Sequence, residues 1–130
     1  MASKVLIIED NTDCRELFAM MIHHLGFQVL QADDGEIGVQ TALSEKPDLI
    51  FMDLGMPNMS GIEATFCLKE SAVTKNIPII MCTAWMAENH REAALRCGAH
   101  EVIFKPVSIS QLQSLLLRYL PAPKHEAQVH

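Results

Sequence analysis

Three stretches of the chain are apolar almost throughout: Val5-Leu6-Ile7-Ile8, Leu49-Ile50-Phe51-Met52 and Ile77 to Cys82. Runs this short, rich in β-branched and aliphatic residues, fit strands covered on both faces, which are found in parallel sheets flanked by helices. Between them the apolar residues change to three- and four-residue steps, the period of a helix packed on one side. A chain that keeps switching between these two periods is restricted to α/β architectures.

Taken in order, Lys4 to Ile8 is the first strand, and Asp10, Asn11 and Thr12 are helix N-cap candidates. Cys14, Leu17, Phe18, Met21, Ile22 and Leu25 form one apolar helical face, and Gly26 stops that helix. Phe27 to Ala32 is a second strand interrupted by glutamines, as suits a sheet edge. Asp34-Gly35 reads as a turn, and Ile37 to Leu43 as a weaker helix ended by Pro47. Leu49 to Met52 is the third strand, and a helix runs from Gly61 through Lys69. Ile77 to Cys82 is the fourth strand, with Pro78 tolerated near its start. Glu88 to Cys97 is a helix with an acidic residue early and Arg96 late, as the helix dipole prefers. Glu101 to Phe104 is a short fifth strand, and Ser108 with Gln111 forms a capping box for a last helix lined by Ile109, Leu112, Leu115, Leu116 and Tyr119. Leu117 and Leu120 read as surface apolars on that helix, and Pro121 stops it.

The fully apolar strands, one, three and four, are expected at the centre, and the interrupted or short ones, two and five, at the edges. That gives a doubly wound parallel sheet of order 2-1-3-4-5, the flavodoxin-like (βα)5 winding. Residues 1–121 are expected to form one domain and 122–130 a short polar tail, a size that suits a single core in a chain of 130 residues. The net charge of -6 offers no bulk basic surface to nucleic acid. No apolar run approaches the ~20 residues of a membrane span, and the start of the chain lacks a signal-peptide layout. Cys14, Cys67, Cys82 and Cys97 show no C-x-x-C spacing and read as reduced core or near-core thiols of a cytoplasmic protein. The methionines, including Met20, Met21, Met52 and Met81, read as core filler, and His23-His24 as surface.

The expected winding brings the ends of three strands to one edge. Glu9-Asp10 follows the first strand, Asp53 the third and Lys105-Pro106 the fifth. Three carboxylates in a partly desolvated cleft repel one another, so one pKa should rise unless a cation binds. Mg²⁺ suits such a set, because it takes oxygen ligands and keeps room for water and phosphate. The Gly55 carbonyl is a further candidate ligand, and no His or Cys stands at this edge with the spacing a softer metal wants. With a cation in place Asp53 becomes a nucleophile toward a phosphoryl donor, with Lys105 as a flexible positive charge and Thr83 as a hydroxyl. The Lys105-Pro106 bond is a candidate cis peptide that aims the lysine inward.

Glu9-Asp10, Asp53-x-x-Met56-Pro57 with Gly61 beyond it, Thr83-Ala84 and Lys105-Pro106, in this order and spacing, resemble the receiver domain of two-component response regulators, of the stand-alone type. The resemblance runs from about Lys4 to Tyr119. It implies that Asp53 accepts phosphate from a sensor histidine kinase or a histidine phosphotransfer protein. It also implies that Glu9, Asp10, Asp53 and the Gly55 carbonyl hold Mg²⁺, and that Thr83 and Lys105 contact the phosphoryl group. Such a protein switches an unnamed downstream partner or relays phosphate; it is a phosphoacceptor that assists its own phosphorylation and dephosphorylation rather than an enzyme. A homodimer through the face of helix four, strand five and helix five is a further expectation from the family.

One position departs from the family pattern. Receivers usually carry an aromatic residue or histidine three residues before the lysine, where this chain has Val102. Valine has no ring to swing inward, which puts output by ring rotation in doubt. Gly55 and Trp85 stand at positions that tune phosphate lifetime in the family, and they predict slow self-dephosphorylation; a phosphorylated half-life of seconds would count against that. An aspartyl phosphohydrolase is a competing reading, but such enzymes commonly need a second aspartate where Gly55 stands. A degenerate receiver acting only as a binding module sits poorly with Asp10, Asp53, Thr83 and Lys105 all present. A flavin carrier stays open only at the level of fold.

Overall fold

Five strands alternate with five helices in the computed structural model, which describes residues 2–56, 58–84 and 88–123. In chain order they are β1 (Lys4–Ile8), α1 (Thr12–His24), β2 (Gln28–Ala32), α2 (Gly35–Glu45), β3 (Leu49–Asp53), α3 (Gly61–Glu70), β4 (Ile79–Thr83), α4 (Glu88–Cys97), β5 (Glu101–Phe104) and α5 (Ile109–Tyr119). The strands are all parallel, in the order β2-β1-β3-β4-β5, so the expected winding is the observed one. No described helix is long and apolar enough to cross a membrane.

The alternation of side chains along each strand divides the core between two layers. Leu6, Ile8, Ile50, Met52, Ile79 and Met81 pack toward α2, α3 and α4. Val5, Ile7, Leu49, Phe51, Ile80 and Cys82 pack toward α1 and α5. The central strands are buried on both faces, which explains their unbroken apolar sequence. The edge strand β2 exposes Gln28 and Gln31.

Local chemistry sets the boundaries, and several differ from the sequence reading. Asn11 caps α1 by accepting from the Cys14 N–H, and Gly26 leaves that helix at φ 102°. Asp34 is the N-cap of α2, accepting from the Ile37 N–H, so Asp34-Gly35 opens the helix where a turn was expected. A Ser60–Glu63 capping box opens α3 and the expected Ser108–Gln111 box opens α5. The fourth strand starts at Ile79, because Pro78 has no N–H to give to the ladder. Leu120 is a core residue, whereas Leu17 on α1 is 58% exposed and Met20 67%. Cys67 is exposed as well, while Cys82 alone of the four thiols is fully buried. The expected tail from Lys124 onward lies outside the described residues.

At the end of the sheet away from the acidic residues, Glu101 of β5 accepts from both Arg118 and Tyr119 of α5. The His100 ring stands edge-on to the Tyr119 ring, centroids 6.2 Å apart. Burial and the bond to Glu101 push the Tyr119 phenol up to about 12. A phenol raised in this way stabilises the fold fully below its unfolded value of about 10 and loses that contribution as pH rises toward 12. Tyr119 is the chain's one tyrosine, so ultraviolet absorbance reads its phenolate directly. The expected midpoint is near 12, returning toward about 10 in Glu101→Gln; equal midpoints in the two proteins would dismiss the coupling.

Candidate functional site

The parallel register carries three strand ends to one edge. Ile8 of β1 lies opposite Met52, and Asp53 opposite Cys82, so Glu9, Asp53 and Thr83 all emerge at the carboxyl ends of neighbouring strands. This is the crevice where the winding changes direction, between β1 and β3. Beyond β5, the Lys105 N–H donates to the Thr83 carbonyl at 2.8 Å and ties the lysine loop to the end of β4. The Lys105-Pro106 bond is cis, as expected.

Carboxylate oxygens of Glu9, Asp10 and Asp53 lie within 4.8 Å of one another. Glu9 is buried, Asp53 half-buried and Asp10 exposed. The ammonium of Lys105 enters this cluster, donating to Glu9 Oε1 and, at 3.2 Å, to Asp53 Oδ1. Thr83 is buried at the end of β4. Ala84 lines the cavity beneath the edge. Gly55 is exposed in the loop after Asp53, and a Cβ added there would meet nothing within 4 Å. The structure thus brings together Glu9, Asp10, Asp53 and Lys105, with Thr83 and Gly55 on the adjoining backbone. Trp85 and Pro57 lie outside the described residues.

The charges are unequal in their effects. Burial and the Glu9 carboxylate push Asp53 above the usual aspartate range, and Lys105 does not fully offset them. Burial also works upward on Glu9, but the Lys105 ammonium and the Asn11 N–H outweigh it and hold Glu9 low. Lys105 is held strongly protonated, because its bond to Glu9 and the Asp53 charge outweigh its burial. The site therefore has, in Asp53, a carboxylate whose negative charge is disfavoured beside a lysine that cannot satisfy it alone. A hard divalent cation fits the donor set, which is all oxygen and negatively charged.

Two supporting groups carry no local sequence signal. The Arg15 guanidinium donates to the Glu9 carbonyl at 3.0 Å and to Gln31 Oε1 at 3.1 Å, pinning the Glu9 backbone to α1 and β2. The Asn11 N–H donates to Glu9 Oε2 at 3.1 Å and orients the carboxylate from below. Val102, paired with Met81, is half-buried against the layer of α2, α3 and α4.

Residues 5–117 match the sequence profile of the response regulator receiver domain. Protein PilH of Pseudomonas aeruginosa is 40% identical over 81% of this chain and 87% of its own length. The phosphate regulon transcriptional regulatory protein PhoB of Klebsiella pneumoniae is 32% identical over 97% of this chain, which spans 57% of that relative. Among solved structures, the receiver domain of the sensor histidine kinase PA1611 of Pseudomonas aeruginosa PAO1 superposes with a TM-score of 0.85 at 29% identity, over 92% of this chain and 98% of that one. That structure is described as having a magnesium ion coordinated in the active site cleft.

Proposed function

The chain belongs to the response regulator receiver domain family of two-component signalling, and from that premise we propose that Asp53 is its phosphoacceptor, taking a phosphoryl group from a phosphohistidine donor. The observation that carries the reading is the convergence of Glu9, Asp10 and Asp53 within 4.8 Å, with Lys105 bridging two of them. Receivers are signalling proteins rather than turnover enzymes, and the absence of a carboxylate at Gly55 supports the same reading here.

In this proposal an ionised Asp53 oxygen attacks phosphorus in line, and a bond to that oxygen forms as the phosphorus–nitrogen bond of the donor breaks. The donor ring, carrying a proton on its other nitrogen, leaves with the bonding pair as neutral imidazole. Glu9, Asp10, Asp53 and the Gly55 carbonyl would hold Mg²⁺, and the bound ion would supply positive charge against the repulsion among the carboxylates and the charge on the transferring oxygens. Lys105 exchanges part of its hold on the carboxylates for a phosphoryl oxygen, and the Thr83 hydroxyl donates to another. Arg15 and Asn11 hold Glu9 in place while the charge redistributes.

The donor is a sensor histidine kinase or a histidine phosphotransfer protein, and the site is cytoplasmic. Output is a change in protein–protein contact or onward relay of phosphate, with no role for nucleic acid on this domain. Leu95, Phe104 and Leu117 are exposed on α4, β5 and α5, which supports a partner or second copy on that face. Val102 supplies no ring for that signal.

Intact-mass spectrometry after incubation with Mg²⁺ and acetyl phosphate tests the proposal. One added phosphoryl group is expected, lost in Asp53→Asn and after chelation of Mg²⁺. An adduct that survives in Asp53→Asn would place the acceptor elsewhere. No adduct from either acetyl phosphate or a phosphorylated kinase would leave the fold as a binding module.

A further inference from the structure

Directly beneath the acidic edge, between α1 and the loop from β5 to α5, lies a partly open cavity of about 350 Å³. Leu17, Phe18 and Met21 of α1 form one wall, Phe51 and Cys82 of the sheet form the floor, and Val107 closes the far side. Phe18 stands edge-on to Phe51 with centroids 5.0 Å apart, so the aromatic wall is held in place from within the core. Leu17, 58% exposed, continues the apolar surface outward from the cavity. The volume lies within the range of small-molecule sites, and an apolar space of this kind favours an apolar occupant over water.

Among the described residues, the charged groups on its wall are Glu9, Asp53 and Lys105. They are already engaged with one another, since Lys105 donates to both carboxylates. An anionic ligand would meet two carboxylates there, and a cationic one would meet an ammonium already seated between them. The charge pattern therefore selects an uncharged guest. We propose that this cavity is a binding site for a small uncharged aromatic or alkyl compound, which packs on the Lys105 stem and favours its pairing with Glu9 and Asp53. The second half rests on the phosphoacceptor reading, in which Lys105 must loosen that pairing when Mg²⁺ and the phosphoryl group arrive. Guest and Mg²⁺ then oppose each other reciprocally.

The probe is indole, titrated into the ¹⁵N-labelled full chain in chelator and followed by amide shifts at Phe18, Phe51 and Val107. Saturable shifts with a dissociation constant of about 1 mM or tighter are expected. The Cys82→Met variant, which fills the floor, should lose them while its remaining spectrum stays folded. Tryptamine and indole-3-acetate, the cationic and anionic counterparts, should each bind at least several-fold more weakly. At saturating indole the apparent Mg²⁺ dissociation constant should rise several-fold. No saturable shift, shifts that persist in Cys82→Met, or tighter binding of either charged probe would overturn the site; an unchanged Mg²⁺ constant would overturn the coupling. None of these readouts needs phosphoryl transfer, so a chemically inert Asp53 would leave the binding test intact.

Discussion

Lys105→Met is expected to cost the metal-free protein about 3 kcal/mol at neutral pH, measured by urea unfolding in chelator. The methionine keeps much of the stem's packing and removes the ammonium, so the loss isolates the charge. Lys105 is the shared counterion of Glu9 and Asp53, whose side chains are only 7% and 12% exposed. Without it, two carboxylates face each other in a partly dry crevice, with Asp10 close by. In the parent protein the lysine's contribution is fully present at neutral pH, far below the value at which it would deprotonate. The signs for the two acids differ. Glu9 is held low, so its pairing stabilises the parent above its unfolded pKa and is lost as pH falls. Asp53 is raised even with the lysine present, so its charge already opposes folding at neutral pH. Removing Lys105 releases Glu9 upward from its low value and raises Asp53 further, and protonation then relieves the variant. The stability gap between variant and parent should therefore narrow as pH falls from 7 toward 5. Mg²⁺ should recover more stability in the variant than in the parent, since it supplies the positive charge that was removed. A gap independent of pH and of Mg²⁺ would show that the lysine acts through packing alone.

What could be read from the sequence, and what could not, follows from how local each signal is. The central strands were legible because burial on both faces removes every polar residue from Val5 to Ile8 and from Leu49 to Met52. The edges were legible from Gln28 and Gln31 and from the shortness of β5. The strand order by itself brings Glu9, Asp10, Asp53 and Lys105 to one edge. The start of α2 was misread because Asp34-Gly35 suits a turn and a helix N-terminus equally, and the neighbouring chain decides between them. The Ser60–Glu63 box is written in the sequence as S-x-x-E, a usable signal for the start of α3. Helical spacing placed Leu17 on the inward face of α1, yet it is 58% exposed. Periodicity carries no information on the distance between α1 and the β5–α5 loop, and there the cavity opens. The clamp of Arg15 on the Glu9 carbonyl was invisible for a similar reason, since an arginine on a helix surface looks the same whether or not a backbone oxygen lies within reach. Val102 illustrates the opposite limit: the family pattern flagged the position, and the structure shows only that the valine packs into the core beside Met81.

Gly61→Ala is expected to destabilise the protein by about 2–3 kcal/mol and to weaken Mg²⁺ binding, whereas Gly55→Ala leaves stability within about 0.5 kcal/mol of the parent. The two glycines sit on either side of the same loop, and neither occupies the left-handed region. Backbone strain is therefore not the issue, and alanine would on propensity alone be welcome at the start of α3. The difference is what a Cβ would meet. At Gly61 it runs into the Asp53 carbonyl oxygen and comes within 3.0 Å of Leu54 Cα. These are backbone atoms, which cannot swing aside as a side chain would. The Gly61 N–H also donates to the Leu54 carbonyl at 3.0 Å, stapling the first turn of α3 to the end of β3. Relief requires either that α3 slides off the sheet or that the Asp53 peptide rotates. The first loses core packing around Ala64 and Leu68, both fully buried; the second moves the carboxylate out of register with Glu9 and Asp10. Gly55, by contrast, has open space where its Cβ would go. Denaturant unfolding of both variants, with Mg²⁺ affinity from calorimetry, separates the routes. Loss of stability with unchanged Mg²⁺ affinity would mean that α3 moves and Asp53 stays. Loss of both would mean that the close approach of α3 is what aims Asp53, and equal behaviour of Gly55→Ala and Gly61→Ala would contradict the steric argument altogether.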